Sequence, residues 1–201
     1  MHIAEGVLSA PVLITGAVVG AAGVFYGLKK IRPDRCMLAG LLGAVFFVAS
    51  LIHIPVGVSS AHLILNGLLG VLLGWAAMPV IFVALLLQTV LFQFGGFTVL
   101  GVNTATMGLG AVAAYYIFLA IAGKAKDKRL KLAGFCGGFF AVLISGFLTA
   151  LALACTNEGF LTAAWLIFLS NLPVMIVEGF ITSFAVLYLE RSNPDLFYEK
   201  K

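Results

Sequence analysis

Charge is what this sequence has least of. Of its 201 residues 12 are Lys or Arg and 8 are Asp or Glu, so 10% are charged, against about 25% in an ordinary soluble domain. So few ionised side chains cannot clothe a water-exposed surface, and with 62% hydrophobic residues a disordered chain is excluded as well. Other absences narrow the function. There is no Gly-x4-Gly-Lys-Ser/Thr loop to cradle a nucleotide phosphate and no His-Glu-x-x-His pair of the kind zinc hydrolases use. The three cysteines, Cys36, Cys136 and Cys155, make no CxxC pattern and read as inert core residues. With no clear internal repeat and no low-complexity linker, residues 1–201 read as one domain.

What remains is apolar chain, with a mean hydropathy of +1.14. At about 20 residues per spanning helix the length accommodates roughly six to eight helices and no separate soluble domain. The net charge of +4 would suggest nucleic acid in a soluble protein, but its distribution points elsewhere. Every basic residue lies in one of three clusters: Lys29, Lys30, Arg32 and Arg35; Lys124, Lys126, Lys128, Arg129 and Lys131; Arg191, Lys200 and Lys201. The positive-inside rule puts all three in the cytoplasm and the N-terminus outside, with no nucleic acid as partner.

Spans are then expected over 8–28, 36–54, 62–78, 80–94, 97–122, 132–155 and 160–189, with Pro55–Ala61 an external loop and tight turns at Met78-Pro79 and Gly95-Gly96. The expected fold is an all-α integral membrane protein, a bundle of about seven transmembrane helices with a cytoplasmic C-terminus. Residues 1–7 form an external loop, 8–189 the bundle and 190–201 a cytoplasmic tail. Two stretches allow another reading. Residues 62–94 fit two short, tilted or partly re-entrant helices, and Asn171-Leu172-Pro173 can divide an interfacial helix from the last span. Met1–Gly6 has Glu5 and no basic residue, so no cleavable signal peptide is expected. Gly16/Gly20 and Gly70/Gly74 have the spacing that lets helices approach closely.

All three histidines, His2, His53 and His62, fall at or near the external side of this topology. A histidine at position 2 has a specific capability. The Met1 amine, the His2 backbone nitrogen and the His2 imidazole close fused five- and six-membered chelate rings around one ion. The amide must lose its proton, which requires a strongly polarising ion such as Ni(II) or Cu(II), and a planar nitrogen site suits these better than tetrahedral Zn(II). The fourth donor is His62 or His53. His62 is preferred because it begins a span with Asn66 four residues on, where an amide would orient its ring; His53 closes the preceding span beside Pro55. Met1 itself is expected to survive processing, since removal normally needs a small second residue.

Met1-His2-Ile3-Ala4-Glu5-Gly6 resembles the opening of the CbiM/NikM family, the substrate-capture subunits of energy-coupling-factor nickel and cobalt transporters. The resemblance continues in Ser60-Ala61-His62-Leu63-Ile64-Leu65-Asn66-Gly67, in the run from Gly95 to Met107, and in Leu172-Pro173-Val174-Met175-Ile176-Val177-Glu178-Gly179. The His62 block is closer to nickel-type than to cobalt-type members. What the resemblance implies is a seven-helix bundle whose N-terminal loop plugs a pocket and binds one Ni(II), or Co(II), through Met1, His2 and a histidine aligning with His62. It further implies three partners in a bacterial or archaeal cytoplasmic membrane: a transmembrane coupling subunit, a cytoplasmic ATP-binding cassette ATPase and a small accessory membrane subunit. The metal is then a transported substrate, no bound cofactor is expected, and the chain is not itself an enzyme.

Gln88, Gln93, Asn103, Thr104 and Thr106 are costly in lipid unless they face the bundle interior, where they would pin the N-terminal loop or simply bond between helices. Glu178 is the one carboxylate deep in a span; it suits a proton acceptor, a partner for the loop or a buried structural acid. Two rival functions use it: a proton-coupled secondary metal transporter, and an intramembrane metallohydrolase built on His2, His62 and Glu178.

The chelate requires a free amine one residue before His2. One alanine added ahead of Met1, or an acetyl group there, is expected to abolish tight nickel binding, whereas a tag after Lys201 leaves it intact. Metal content of the two tagged forms, purified at equal yield, checks this.

Overall fold

The computed structural model describes residues 3–56, 59–123, 128–157, 159, 165, 168, 169 and 171–196; within these, the side chains of residues 53–62, 128 and 195 are not described. Seven α-helices are present among the described residues: α1 (Ala10–Leu28), α2 (Cys36–Leu51), α3 (Asn66–Leu73), α4 (Ala77–Phe92), α5 (Leu100–Ala122), α6 (Lys128–Ala154) and α7 (Leu172–Ser192). A hairpin of two short strands, β1 (His53–Val56) and β2 (Ser59–His62), joins α2 to α3.

The polarity is inverted relative to a water-soluble protein. Ile14, Val18, Phe25, Met37 and Phe184 stand exposed, while Asn66, Gln88, Asn103 and Glu178 are buried. Large apolar side chains pointing outward and polar ones inward are what a lipid solvent selects. This is a multi-pass membrane protein.

Six stretches are long and apolar enough to cross a bilayer, and Asn66–Phe92 is one of them. Within it α3 has only 8 residues, about 12 Å at 1.5 Å per residue, well short of a hydrocarbon core of about 30 Å. The expected full span over 62–78 is therefore corrected to a half-length helix, in line with the re-entrant alternative. It starts inside the bundle: the Asn66 carboxamide donates to the Met107 carbonyl of α5 at 3.0 Å and to Ser145 Oγ of α6 at 2.8 Å. It stops at Gly74, whose φ of 58° no continuing helix tolerates, and after a 3-10 turn (Gly74–Ala76) α4 runs back.

Every residue from Asn66 to Leu72 is buried. A helix apolar on all sides must be enclosed, and α3 is: Leu68, Leu69 and Leu72 share one core with Phe46 of α2, Ile81 of α4, Met107 of α5, Val142 of α6 and Met175 of α7. Glycine makes the enclosure close. A Cβ on Gly70 would lie 1.9 Å from the Ala111 carbonyl oxygen of α5, and one on Gly20 of α1 2.6 Å from the carbonyl oxygen of Gly101. The basic end of the bundle is fastened by Arg35, whose guanidinium donates to the carbonyls of Leu72 and Leu196 at 3.4 and 3.2 Å.

Two further expectations change. The segment 52–61 is not simply the end of a span followed by a loop: Pro55 halts helical propagation from α2 by disfavouring the α conformation before it, and the chain pairs as β1 with β2. Nor does the chain turn at Met78-Pro79: both residues lie inside α4, and the break comes at Gly74–Ala76. The N-terminal segment packs into the bundle. Ile3 and Leu8 are 4% and 8% exposed and pack with Val99, Val102 and Leu153.

Gly70→Ala is expected to destabilise the protein by about 1–3 kcal/mol, the usual cost of overpacking a tight core. Gly40→Ala, where a Cβ meets open space, is expected to be neutral or slightly stabilising. Thermal unfolding of both in the same detergent gives the comparison.

Candidate functional site

At the end opposite the basic residues, two non-helical limbs enter the bundle. The first is the N-terminal segment. The Ile3 amide donates to Asn103 Oδ1 at 3.0 Å, and Asn103 Nδ2 donates back to the Ile3 carbonyl at 3.1 Å. A carboxamide presents one acceptor and one donor side by side, as a peptide group does, so a single buried side chain satisfies both backbone groups of one residue. Two residues on, the Glu5 amide donates to the Gly95 carbonyl at 2.9 Å, and Glu5 Oε1 accepts from the Thr98 amide at 3.2 Å. The turn that reaches Glu5 depends on Gly96, with φ 139°, where a Cβ would fall 2.7 Å from the Glu5 side chain. The limb joins α1 at Ser9, whose amide donates to Thr156 Oγ1 at 3.4 Å.

The second limb is the hairpin. Its antiparallel register sets the backbone of His53 directly opposite that of His62. Beyond β2 the Ile64 and Leu65 amides both donate to Glu178 Oε1 of α7, at 2.5 and 2.8 Å. Glu178 is fully buried. Leu65 takes the left-handed conformation, φ 55°, and α3 starts at the next residue. The carboxylate thus lies at the positive end of that helix, where an anion is favoured.

Both limbs are tied to α5, one helical turn apart. Asn103 holds Ile3, and four residues along, about 6 Å of helix rise, the Met107 carbonyl accepts from Asn66. That turn sets the separation of the two limbs.

Met1 and His2 lie outside the described residues, and for His53 and His62 only the backbone is placed. Each proposed ligand is followed by an anchored stretch of backbone: Ile3, held by Asn103, follows His2, and the Glu178 clasp follows His62. Asn66 does not sit one helical turn from His62, because α3 begins at Asn66 itself; its amide clamps α5 and α6 instead. Of the polar residues expected to pin the loop, Asn103 does so. Gln88 ties α4 to α2 through Ser50 Oγ and the Phe47 carbonyl, and Thr106 turns back to the Asn103 carbonyl. Gln93 ends α4 in a left-handed conformation, φ 57°. Thr104 is buried, with no partner for its hydroxyl among the described residues. The sequence reading missed Glu5, which reads as a lone exposed acid, and the amides of Ile64 and Leu65, which carry no side-chain signal.

Comparison with known proteins agrees with this architecture. The family described as the cobalt uptake substrate-specific transmembrane region matches residues 2–196. A chain from Haemophilus influenzae with a provisional metal-transport assignment is 40% identical over 98% of this chain and 96% of its own length. The cobalt transport protein CbiM of Clostridium tetani is 33% identical over 90% of this chain and 81% of its own. A crystal structure of a truncated transition metal transporter superimposes with a TM-score of 0.81 at 26% identity, covering 96% of this chain and 99% of that one.

Asn103→Ala leaves both backbone groups of Ile3 unpaired inside the bundle, and Asn103→Asp restores only the acceptor. Metal affinity is expected to fall about 10–100-fold for the alanine variant, and the N-terminal segment to become more open to proteolysis, with the core helices unaffected. Limited proteolysis alongside a metal titration measures both.

Proposed function

Since the chain belongs to the CbiM family, we propose that it is the metal-capturing membrane subunit of an ATP-driven importer, taking Ni(II) or, less readily, Co(II) from outside the cell. Orientation in a bacterial or archaeal cytoplasmic membrane follows from charge: the end carrying Lys29, Lys30, Arg32 and Arg35 faces the cytoplasm, and the N-terminal limb faces out. A cavity of about 650 Å³ at the basic end is lined by Lys30, Arg32 and Arg35. Positive walls make it a poor entrance for a divalent cation, which leaves the opposite end for capture.

The single observation that carries this reading is the Asn103–Ile3 pair. It turns the residue next to His2 into a fixed, buried part of the bundle, so an N-terminal chelate has a rigid mounting. In the proposed site the Met1 amine, the His2 backbone nitrogen and the His2 imidazole occupy three corners of a plane and His62 the fourth. That donor set suits Ni(II) and is closed to a catalytic water, which speaks against a hydrolase. Energy comes from elsewhere: a coupling subunit, a cytoplasmic ATPase and a small accessory membrane subunit are the proposed partners. The proton-coupled alternative needs Glu178 free to exchange a proton with a passage. Its Oε1 anchors two backbone amides, a holding role that the ATP-driven reading explains without proton transfer.

The test is nickel uptake by cells expressing the chain together with the proposed coupling, ATPase and accessory subunits. His62→Ala is expected to reduce uptake by about 100-fold or more, as loss of a direct ligand should exceed the roughly 10–100-fold typical of supporting residues. His53→Ala is expected to retain most of it. The reverse ranking would remove His62 from the site, and uptake persisting after deletion of the ATPase would remove the energy source.

A further inference from the structure

On the reading that His62 is a metal ligand, we propose that Glu178 is the positioning residue for that ligand, acting through the two backbone amides that follow it. His62 is the last residue of β2. A slip of one residue along the strand would turn His62 to the other face, so its register has to be held. The stop comes from Glu178: one of its oxygens accepts the Ile64 and Leu65 amides together. Two converging bonds on one atom prevent this stretch from either extending β2 or lengthening α3 toward its N-terminus.

Leu65 shows that the stop is imposed rather than local. Its φ of 55° is disfavoured for any residue with a branched side chain, and nothing in the run Leu63-Ile64-Leu65 supplies a turn residue. The left-handed conformation of Leu65 redirects the chain into α3 immediately after the two clasped amides. The post itself is rigid. Glu178 is fully buried on α7, and a Cβ on Gly138 of α6 would lie 2.4 Å from the Glu178 carbonyl oxygen, so the two helix backbones are in close contact there. Glu178 Oε2 has no hydrogen-bond partner among the described residues, so the anchoring is done by one oxygen. An acceptor at that place is required, and a negative charge is not. The N-terminal limb is held by the same device, Asn103 on Ile3, so each ligand segment has one buried side chain gripping backbone beside it.

The experiment is Ni(II) titration of the full-length purified chain with an unmodified N-terminus, reading affinity by chelator competition and donor geometry by the visible absorption of planar Ni(II). The wild type is measured first; if it binds no Ni(II), the metal reading itself fails and the question of Glu178 does not arise. Given wild-type binding, Glu178→Ala is expected to weaken affinity about 10–100-fold and to shift the absorption toward a three-nitrogen set. Glu178→Gln keeps an acceptor oxygen and is expected to lose several-fold less. Leu65→Gly, which reaches positive φ without a clamp, is expected to recover part of the affinity when combined with Glu178→Ala, a gain that mere loss of core stability would not produce. If the alanine variant does not fold, Glu178→Asp, with the carboxylate drawn back by one methylene, takes its place with the same expected direction. Affinity and spectrum unchanged in Glu178→Ala, a glutamine variant as weak as the alanine one, or no recovery from Leu65→Gly would each overturn the proposal.

Discussion

Backbone amides inside an apolar bundle have no water to turn to, and two of them, at Ile64 and Leu65, decide how this chain is arranged. Left unpaired, each would cost roughly 1–3 kcal/mol, enough to favour continuing α3 backward as an ordinary spanning helix. Glu178 supplies the acceptor. With both amides satisfied by a side chain from α7, the strand ends at His62, α3 begins at Asn66, and a non-helical segment is held at depth. Non-helical backbone is tolerated inside a membrane only when protein surrounds it, and here the short, enclosed α3 and its neighbours do so.

That arrangement places demands on the remaining helices. Because α3 is buried on all sides, α5 and α6 must approach it closely, and glycines at 67, 70 and 110 provide the room. Asn66 ties all three together. The same α5 carries Asn103 one turn away, so the helix that confines α3 also receives the N-terminal segment. The two limbs are therefore positioned against one rigid object rather than against each other. A site assembled on a helix holds its geometry better than one assembled between loops, and the proposed chelate benefits from that difference.

Electrostatics separates the two ends. The described basic residues gather where Arg35 fastens α2, α3 and the C-terminal turn together, and the limbs enter from the other end. Acids are sparse as well, and two of them, Glu5 and Glu178, are engaged by backbone amides. Both hold loops in place by accepting backbone amides.

The sequence by itself determined the solvent, the clustering of charge, most of the helices and the existence of a histidine suited to an N-terminal chelate. These follow from local facts: apolar runs of about 20 residues cross a bilayer whatever surrounds them, and a histidine at position 2 is read directly from the chain. The Met78-Pro79 pair signals a break within 62–94, but a proline is tolerated in the first turn of a helix, and the chain turns instead at Gly74. Only the tertiary structure decided that 53–56 pairs with 59–62, that the backbones of His53 and His62 stand opposite each other there, that Asn66 serves helix packing, and that Glu178 grips residues more than 100 positions away. The Ile64-Leu65 step has no sequence signal for its conformation, because its two amides are satisfied by an acceptor on another helix. A conformation fixed by a distant partner becomes readable only once the fold has brought that partner alongside.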